Sequence, residues 1–496
     1  MIRTRKLYVV NGACIVALLL TLVFASASTA RAATSTAYTQ PRWWSKYLNV
    51  SAPGFAPATA GSTKSVAVGP NVDVSNEPGP QSETSIAIDP NNPGQLVAGS
   101  NEIDRLPMRG YFSSDGGLAW GGVDLPLPPP LTPSGTDFGS DPGVTWDTRG
   151  NVYYSYIVVF FNGGFTGVTG TELAVARSSD GGRTWTPTYF AFKNGTGQFN
   201  DKPLITVDTN PNSPFRDTIY VTWDTATGNS SSTNDIFVSR STDGGRTFSD
   251  PVKASASVKG ANAAIGADPF VGPDGTLYVA WNDIQHNAIV FSYSTDGGQT
   301  FGVTQTIAPT QVAFDIAIPA MNVRRALVYP ACGADISSGS NRRTLYCAWM
   351  DLTATNGTDI FLSRSTDGGA HWSAPLRVND DPAGVAKDQF NQWLAVDPID
   401  SSVNLSWNDT RLDPSHVSTH IFYAQSTDGG QSFTPNVQVT TATTNETCCG
   451  AQLHDQYGDY EGIAAYNGIS HPVWTDRRDA VASLNEEVFT AAIRAK

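Results

Sequence analysis

Seven short apolar runs in this 496-residue chain each open on a polar or aromatic residue able to do chemistry. Those residues are Glu83, Asp141, Lys202, Asp268, Tyr329, Asn391 and Tyr460. Most of the runs that follow them end in an acid: Glu102, Asp224, Asp283, Asp351, Asp409 and Asp476. Arginines come close behind three of these acids, at Arg105, at Arg411, and at Arg477 with Arg478. Carboxylates accept hydrogen bonds from hydroxyls, a guanidinium forks a ligand carboxylate, and tyrosine offers a ring face and a hydroxyl. Gathered at a concave mouth, such groups would hold a small polar ligand, and a sugar fits their chemistry. The plainer role for the same residues is structural. The acids would cap loops and pair with the arginines, while Trp223, Trp281, Trp349, Trp407 and Trp474 pack between units. Proline follows the opening residue in four runs (Pro142, Pro203, Pro269, Pro330), which predicts an extended backbone just before it.

The elements that must position these residues are β-strands. The runs come in pairs, such as Ile205-Thr206-Val207-Asp208 with Ile219-Tyr220-Val221-Thr222-Trp223, and seven pairs are present. A third run follows each pair, as in Asp235-Ile236-Phe237-Val238-Ser239. After the third run six of the units carry one octapeptide, typified by Ser241-Thr242-Asp243-Gly244-Gly245-Arg246-Thr247-Phe248. Its aspartates are Asp115, Asp180, Asp243, Asp296, Asp367 and Asp428, spaced by 65, 63, 53, 71 and 61 residues. Asp-Gly-Gly between β-rich runs is a hairpin-turn signal, because glycine accepts the positive φ angles other residues resist. The aspartate can accept from the N–H groups of the turn, so its role is read as structural. Periodicity of this size sets the architecture before any site is considered.

The octapeptide Ser-x-Asp-Gly-Gly-x-Thr-aromatic resembles the Asp-box, or BNR repeat, of the sialidase superfamily. The resemblance implies a β-propeller, and the four runs per unit imply the same: an all-β fold of four-stranded antiparallel blades with six Asp-box turns. Seven pairs against six boxes predict seven blades. The last unit ends before its fourth strand, and residues 64–76 are expected to supply it. Six blades is the alternative if 64–76 forms no strand. In this geometry the opening residues line one mouth of the channel and the boxes lie on the opposite face.

The resemblance also implies a mechanism: a tyrosine nucleophile activated by a glutamate, an aspartate acid/base, and three arginines on the ligand carboxylate. Tyr460 is the positional match for the nucleophile, Asp141 or Glu83 for the acid/base, and Arg105, Arg411 and Arg477 for the clamp. Lys202, Asp268, Tyr329, Asn391, Asp283, Asp409 and Asp476 would complete the ligand-binding mouth. The chain departs from the pattern in two respects. The family's Phe/Tyr-Arg-Ile-Pro signature is absent, the nearest string being Ile316-Ala317-Ile318-Pro319. Neighbours on a strand face opposite ways, so neither Asp459 nor Glu461 points where Tyr460 points. Two functions therefore stand: a sialidase-like glycoside hydrolase acting on terminal acidic sugars, and a propeller that binds glycan or protein and cuts nothing.

Composition bounds the rest. A net charge of −14 without a basic cluster argues against nucleic acid and anionic membrane surfaces. Arg3, Arg5 and Lys6 precede a 12-residue apolar run from Ala13 to Phe24, and Ala30-Arg31-Ala32 offers a cleavage site. Residues 1–32 thus read as a secretory signal, with an uncleaved anchor as the alternative, 33–63 as a linker, and 64–496 as the propeller, secreted and monomeric. Cys332 and Cys347 fall in neighbouring strands and suit a disulfide. The adjacent Cys448 and Cys449 are left open between a vicinal bond, separate pairing and free thiols. No cofactor is expected. The six histidines show no metal-ligand spacing, and a calcium ion among the mouth carboxylates is the one metal the residue types allow.

Overall fold

The computed structural model describes residues 66–75, 77–131, 136–161, 168–194, 199–227, 230–255, 264–354, 357–382, 384–448, 450–451, 456–478 and 486–495. The expected signal, the expected linker and Cys449 lie outside them. All regular structure among the described residues is β, arranged as seven blades of four antiparallel strands. Blade one runs inner to outer through Gln81–Ile88, Leu96–Glu102, Arg109–Ser113 and Gly121–Asp124. The next five repeat this order.

Blade seven is closed by the start of the chain, as 64–76 predicts. Gly462–Tyr466, Ile469–Asp476 and Glu487–Thr490 pair in sequence, and Val72–Asp73 then pairs with Glu487–Thr490. Val66–Val68 continues the same edge against Ile493–Ala495. The Asn71 amide reaches on into blade six, donating to Val439 O at 3.0 Å. One hairpin stands outside the repeat, Asp315–Ile318 with Met321–Leu327, inserted between blades four and five.

Each Asp-Gly-Gly turn is held by its aspartate. Asp243 Oδ1 accepts from Arg246 N and Thr247 N at 3.0 Å each, and Oδ2 accepts from the Thr247 hydroxyl at 2.7 Å. Burial raises the carboxyl more than any one donor lowers it, but the donors together outweigh burial and hold it down at about 2. Gly245 needs its missing side chain twice. Its φ is 78°, and a Cβ would press at 3.1 Å on the Tyr153 ring of the preceding blade. The turns thus lock onto neighbouring blades, and that is where the core lies. Tyr153, Ile219, Val221 and Trp223 share one buried cluster across blades two and three. The second-strand tryptophans Trp223, Trp281, Trp349, Trp407 and Trp474 are all fully buried. By area each contributes roughly 4–6 kcal/mol of hydrophobic driving force as an upper bound.

Cys332 and Cys347 face each other across blade five and are disulfide-bonded, with Cα atoms 4.1 Å apart. Cys448 is also disulfide-bonded.

Candidate functional site

The opening residues of the inner strands sit on a repeated β-bulge. In blade one Ser82 pairs with Asn101 and Ser85 with Gly99, so Glu83 and Thr84 together oppose Ser100. Blades two, three, four and six show the same two-against-one step. At its first position stand Glu83, Asp141, Lys202 and Asn391, all in the left-handed region with φ of 53°, 62°, 48° and 51°. A bulge re-aims the side chain it carries, and here it does so at a backbone cost of about 1–2 kcal/mol per residue. Two expectations are corrected. Asp141 and Lys202 are left-handed rather than extended despite their prolines, because the bulge overrides the proline preference. In blade four the bulge falls on Gly266, with φ 73°, and not on Asp268. A Cβ at Gly266 would collide with the Tyr329 ring, so the glycine makes room for that tyrosine. Asp268, two residues on, accepts from Cys332 N at 2.6 Å, and burial pushes its carboxyl up to about 7.

The bulged residues converge. Asn101 ties the first two blades together, its amide donating to Glu83 Oε2 at 2.6 Å and its carbonyl accepting from Asp141 N at 2.7 Å. Asp141 Oδ2 accepts from Lys202 N at 3.0 Å. The Lys202 side chain then crosses toward the far blades. Its Nζ lies 3.1 Å from the Tyr329 ring centroid, 4.2 Å from that of Tyr460 and 5.7 Å from that of Trp393. Lys202 is buried, and burial brings its ammonium down to about 8, against the pull of Asp459, Glu83, Asp224 and Asp141. Burial likewise raises Asp224 to about 7 and holds Asp201 well above the carboxylate range, the latter helped by Asp141 beside it.

Tyr460 is buried and donates to Pro142 O at 3.4 Å. Burial, with Glu83, Asp141 and Asp459 adding, holds its phenol well above the usual range. Glu461 points away to accept from Thr475 N at 3.3 Å, and burial pushes it up to about 8.

The three arginines considered for a clamp each have their own partners. Arg105 pairs with Glu77 and Asp124. Arg411 pairs with Asp409 and Asp380 and covers the Phe422 ring. Arg477 is buried, pairs with Glu486 at 3.2 Å and donates to Asn445 O and Cys448 O. The acids of the second ring are engaged as well. Asp409 and Asp476 accept from the indole N–H of Trp407 and Trp474 at 2.9 and 2.8 Å. Asp283 caps a turn and contacts His286 Nδ1 at 2.7 Å, and Asp351 accepts from Gln311 N at 2.7 Å. No group of three or more carboxylate, histidine or cysteine side chains among the described residues is arranged to hold a metal.

No protein-family model and no curated protein matches the sequence. The chain is similar in backbone to several solved structures. One is a protein of unknown function from Dyadobacter fermentans, at 12% identity over 87% of this chain and 99% of that one, with a TM-score of 0.45. Another is the intramolecular trans-sialidase from Ruminococcus gnavus, at 13% identity over 71% and 94%, with a TM-score of 0.44. A third is an α-L-arabinofuranosidase from Fusarium graminearum, at 12% identity over 72% and 98%, with a TM-score of 0.46. Identity at this level assigns no activity.

An arginine outside the expected set completes the mouth. Arg324, on the inserted hairpin, donates to Glu83 Oε1 at 2.8 Å and to Asp459 through Nε at 2.9 Å, with a second contact to Asp459 through Nη2. Its backbone N–H donates to Gln456 Oε1 at 3.0 Å. The hairpin is thus strapped across blades one and seven. Beside Asn101 and Ser140 a cleft of about 340 Å³ opens between blades one and two, with Arg105 and Phe138 in its wall. A second cavity, of about 320 Å³, lies at the opposite ends of the inner strands among Ile86, Trp146, Asp208, Phe270, Val396 and Tyr466. The cleft is the one that adjoins the bulged residues, through Asn101 on Glu83 and Ser140 on Asp141.

Proposed function

We propose that this protein is a secreted propeller that binds a neutral glycan in the cleft beside Glu83 and Asp141, without sialidase-type cleavage. The observation that carries this reading is the engagement of the groups a sialidase would need. Tyr460 is turned onto Pro142 O beneath the Lys202 ammonium, and Arg105, Arg411 and Arg477 are each spent on acids of their own. Charge points the same way. Among the described residues, Glu83, Asp141 and Asp459 outnumber the mouth cations Lys202 and Arg324, and Arg105 in the cleft wall already pairs with Glu77 and Asp124, so a ligand carboxylate would enter a field that is on balance acidic. A neutral sugar meets no such barrier. It would find the Asn101 amide, the Ser140 hydroxyl and the Phe138 ring in one wall. The Cys332–Cys347 disulfide supports an oxidising, extracellular setting.

A second reading, hydrolysis of a neutral glycoside, is favoured by one arrangement. Burial and the adjoining Asp141 carboxylate hold the Asp201 carboxyl well above the carboxylate range, as a general acid beside a second carboxyl requires. The test is an array of neutral and sialylated glycans together with aryl-glycoside and sialoside reporters. Binding to neutral glycans, lost in Asn101→Ala and without turnover, is the expected result. Turnover of a neutral reporter, abolished by Asp201→Asn, would establish the second reading instead. Sialoside turnover abolished by Tyr460→Phe would overturn both.

A further inference from the structure

Lys202 presents an unusual combination. It is 3% exposed, and its Nζ has no hydrogen-bond acceptor among the described residues. What surrounds that nitrogen is π-surface: Tyr329 at 3.1 Å, Tyr460 at 4.2 Å and Trp393 at 5.7 Å, contributed by blades five, seven and six. Beyond the rings stand Glu83, Asp141, Asp224, Asp268 and Asp459, whose fields favour a cation at this point. Among the described residues, the Arg324 guanidinium on Glu83 and Asp459 is the second cation at this mouth.

Such a cage is poorly matched to its occupant. A primary ammonium carries three N–H donors, and leaving donors unpaired in a buried site is costly. An ammonium whose hydrogens are replaced by methyl groups has no donor to satisfy. It would gain the same attraction to the ring faces and present an apolar surface to them.

We propose that the Tyr329–Trp393–Tyr460 cage at the propeller axis is a binding site for a methylated ammonium ion, and that Lys202 is its tethered occupant. The site stands whether or not a glycan binds in the neighbouring cleft, since it shares no wall residue with it. Because no hydrogen bond anchors Nζ, an incoming cation displaces only ring contacts and charge. Discharge of the Lys202 amine as pH rises past about 8 removes the competing charge, so the native protein takes up the ion more readily in alkali.

The probe is tetramethylammonium chloride, titrated calorimetrically against the full chain at constant ionic strength, with methylammonium as the comparison. Lys202→Ala is expected to bind tetramethylammonium at least about tenfold more tightly than the native protein at pH 7, and more tightly than it binds methylammonium. Tyr329→Leu added to that variant should erase the preference. A folded Lys202→Ala, by circular dichroism, that binds neither ion, or binds methylammonium as well, overturns the proposal. If Lys202→Ala does not fold, the native protein decides: affinity for tetramethylammonium must rise at least about threefold between pH 7 and pH 9.5, and an unchanged affinity sinks the idea.

Discussion

Removing the Arg324 guanidinium should loosen the ring where its first and last blades meet. The side chain is one-quarter exposed and bridges Glu83, almost fully buried, to Asp459, which is as exposed as the arginine. A unit-charge pair at about 4 Å is worth about 4 kcal/mol at an effective dielectric of 20, and solvent access at Arg324 and Asp459 reduces that. Glu83 would not be orphaned, because Asn101 Nδ2 at 2.6 Å and Asp459 N at 3.1 Å still donate to it. The loss is therefore smaller than the ~3–5 kcal/mol of a broken, fully buried pair. We expect Arg324→Ala to cost about 2 kcal/mol in urea unfolding, or the equivalent in unfolding rate where unfolding is irreversible. Arg324→Lys should recover only part of it, since a point charge cannot fork between two carboxylates. The decisive comparison is a double-mutant cycle with Glu83→Gln, in which the two changes should couple by about 1 kcal/mol or more. The hairpin 315–327 should also become more sensitive to limited proteolysis. Additivity within about 0.5 kcal/mol, with unchanged proteolysis, would refute the strap.

Three further outcomes follow from the geometry. Asp268 titrates near 7 folded and near ~3.9 unfolded, so the stability it lends is complete below the lower value and is lost as pH rises through the upper; Asp268→Asn, which cannot ionise, should gain on the native protein by roughly 3 kcal/mol between pH 5 and pH 9, and thermal melts showing a constant offset would count against it. The Cys332–Cys347 bond closes a loop of 15 residues, so replacing both cysteines with serine should cost up to about 3 kcal/mol on the chain-entropy account, visible as a lower urea midpoint than the oxidised protein. Asp243→Ala removes the acceptor for two turn N–H groups and two hydroxyls and should cost about 1–3 kcal/mol in the same assay while leaving glycan binding in the distant cleft unchanged; a loss of binding without a loss of stability would place the turn at the site after all.

How much of this was legible in the sequence depended on how local the cause is. Each turn is specified by its own eight residues, so the six Asp-Gly-Gly turns could be counted and oriented without a structure. The closing strand could be placed because the seventh unit runs out of chain and 64–76 has the right alternation. The bulge could not be placed in blade four. Asp268-Pro269 imitates Asp141-Pro142 in sequence, yet the register steps at Gly266, where only a missing side chain admits the Tyr329 ring. Arg324 was missed for a different reason: its partner Glu83 is 241 residues away, and it arrives on a hairpin that belongs to no repeat. The one available signal is the pair Arg324-Arg325, a few residues after Ile316-Ala317-Ile318-Pro319, the string nearest to an arginine signature.

The same distinction explains why the expected arginines did not meet. Arg105, Arg411 and Arg477 follow the acids Glu102, Asp409 and Asp476 of their blades by three, two and one residues, and that proximity lets each be satisfied within or next to its own blade. A residue already paired locally has little to gain by reaching the axis. The Lys202 ammonium makes no hydrogen bond among the described residues, although Asp224 of its own blade acts on it, and reaches across the channel to the rings of three other blades. In a ring built from repeats, the groups free to form a central site are those whose own repeat does not satisfy them. Lys202 meets that condition and Arg324 comes from outside the repeats, and they are the cations on which a functional test of this propeller should begin.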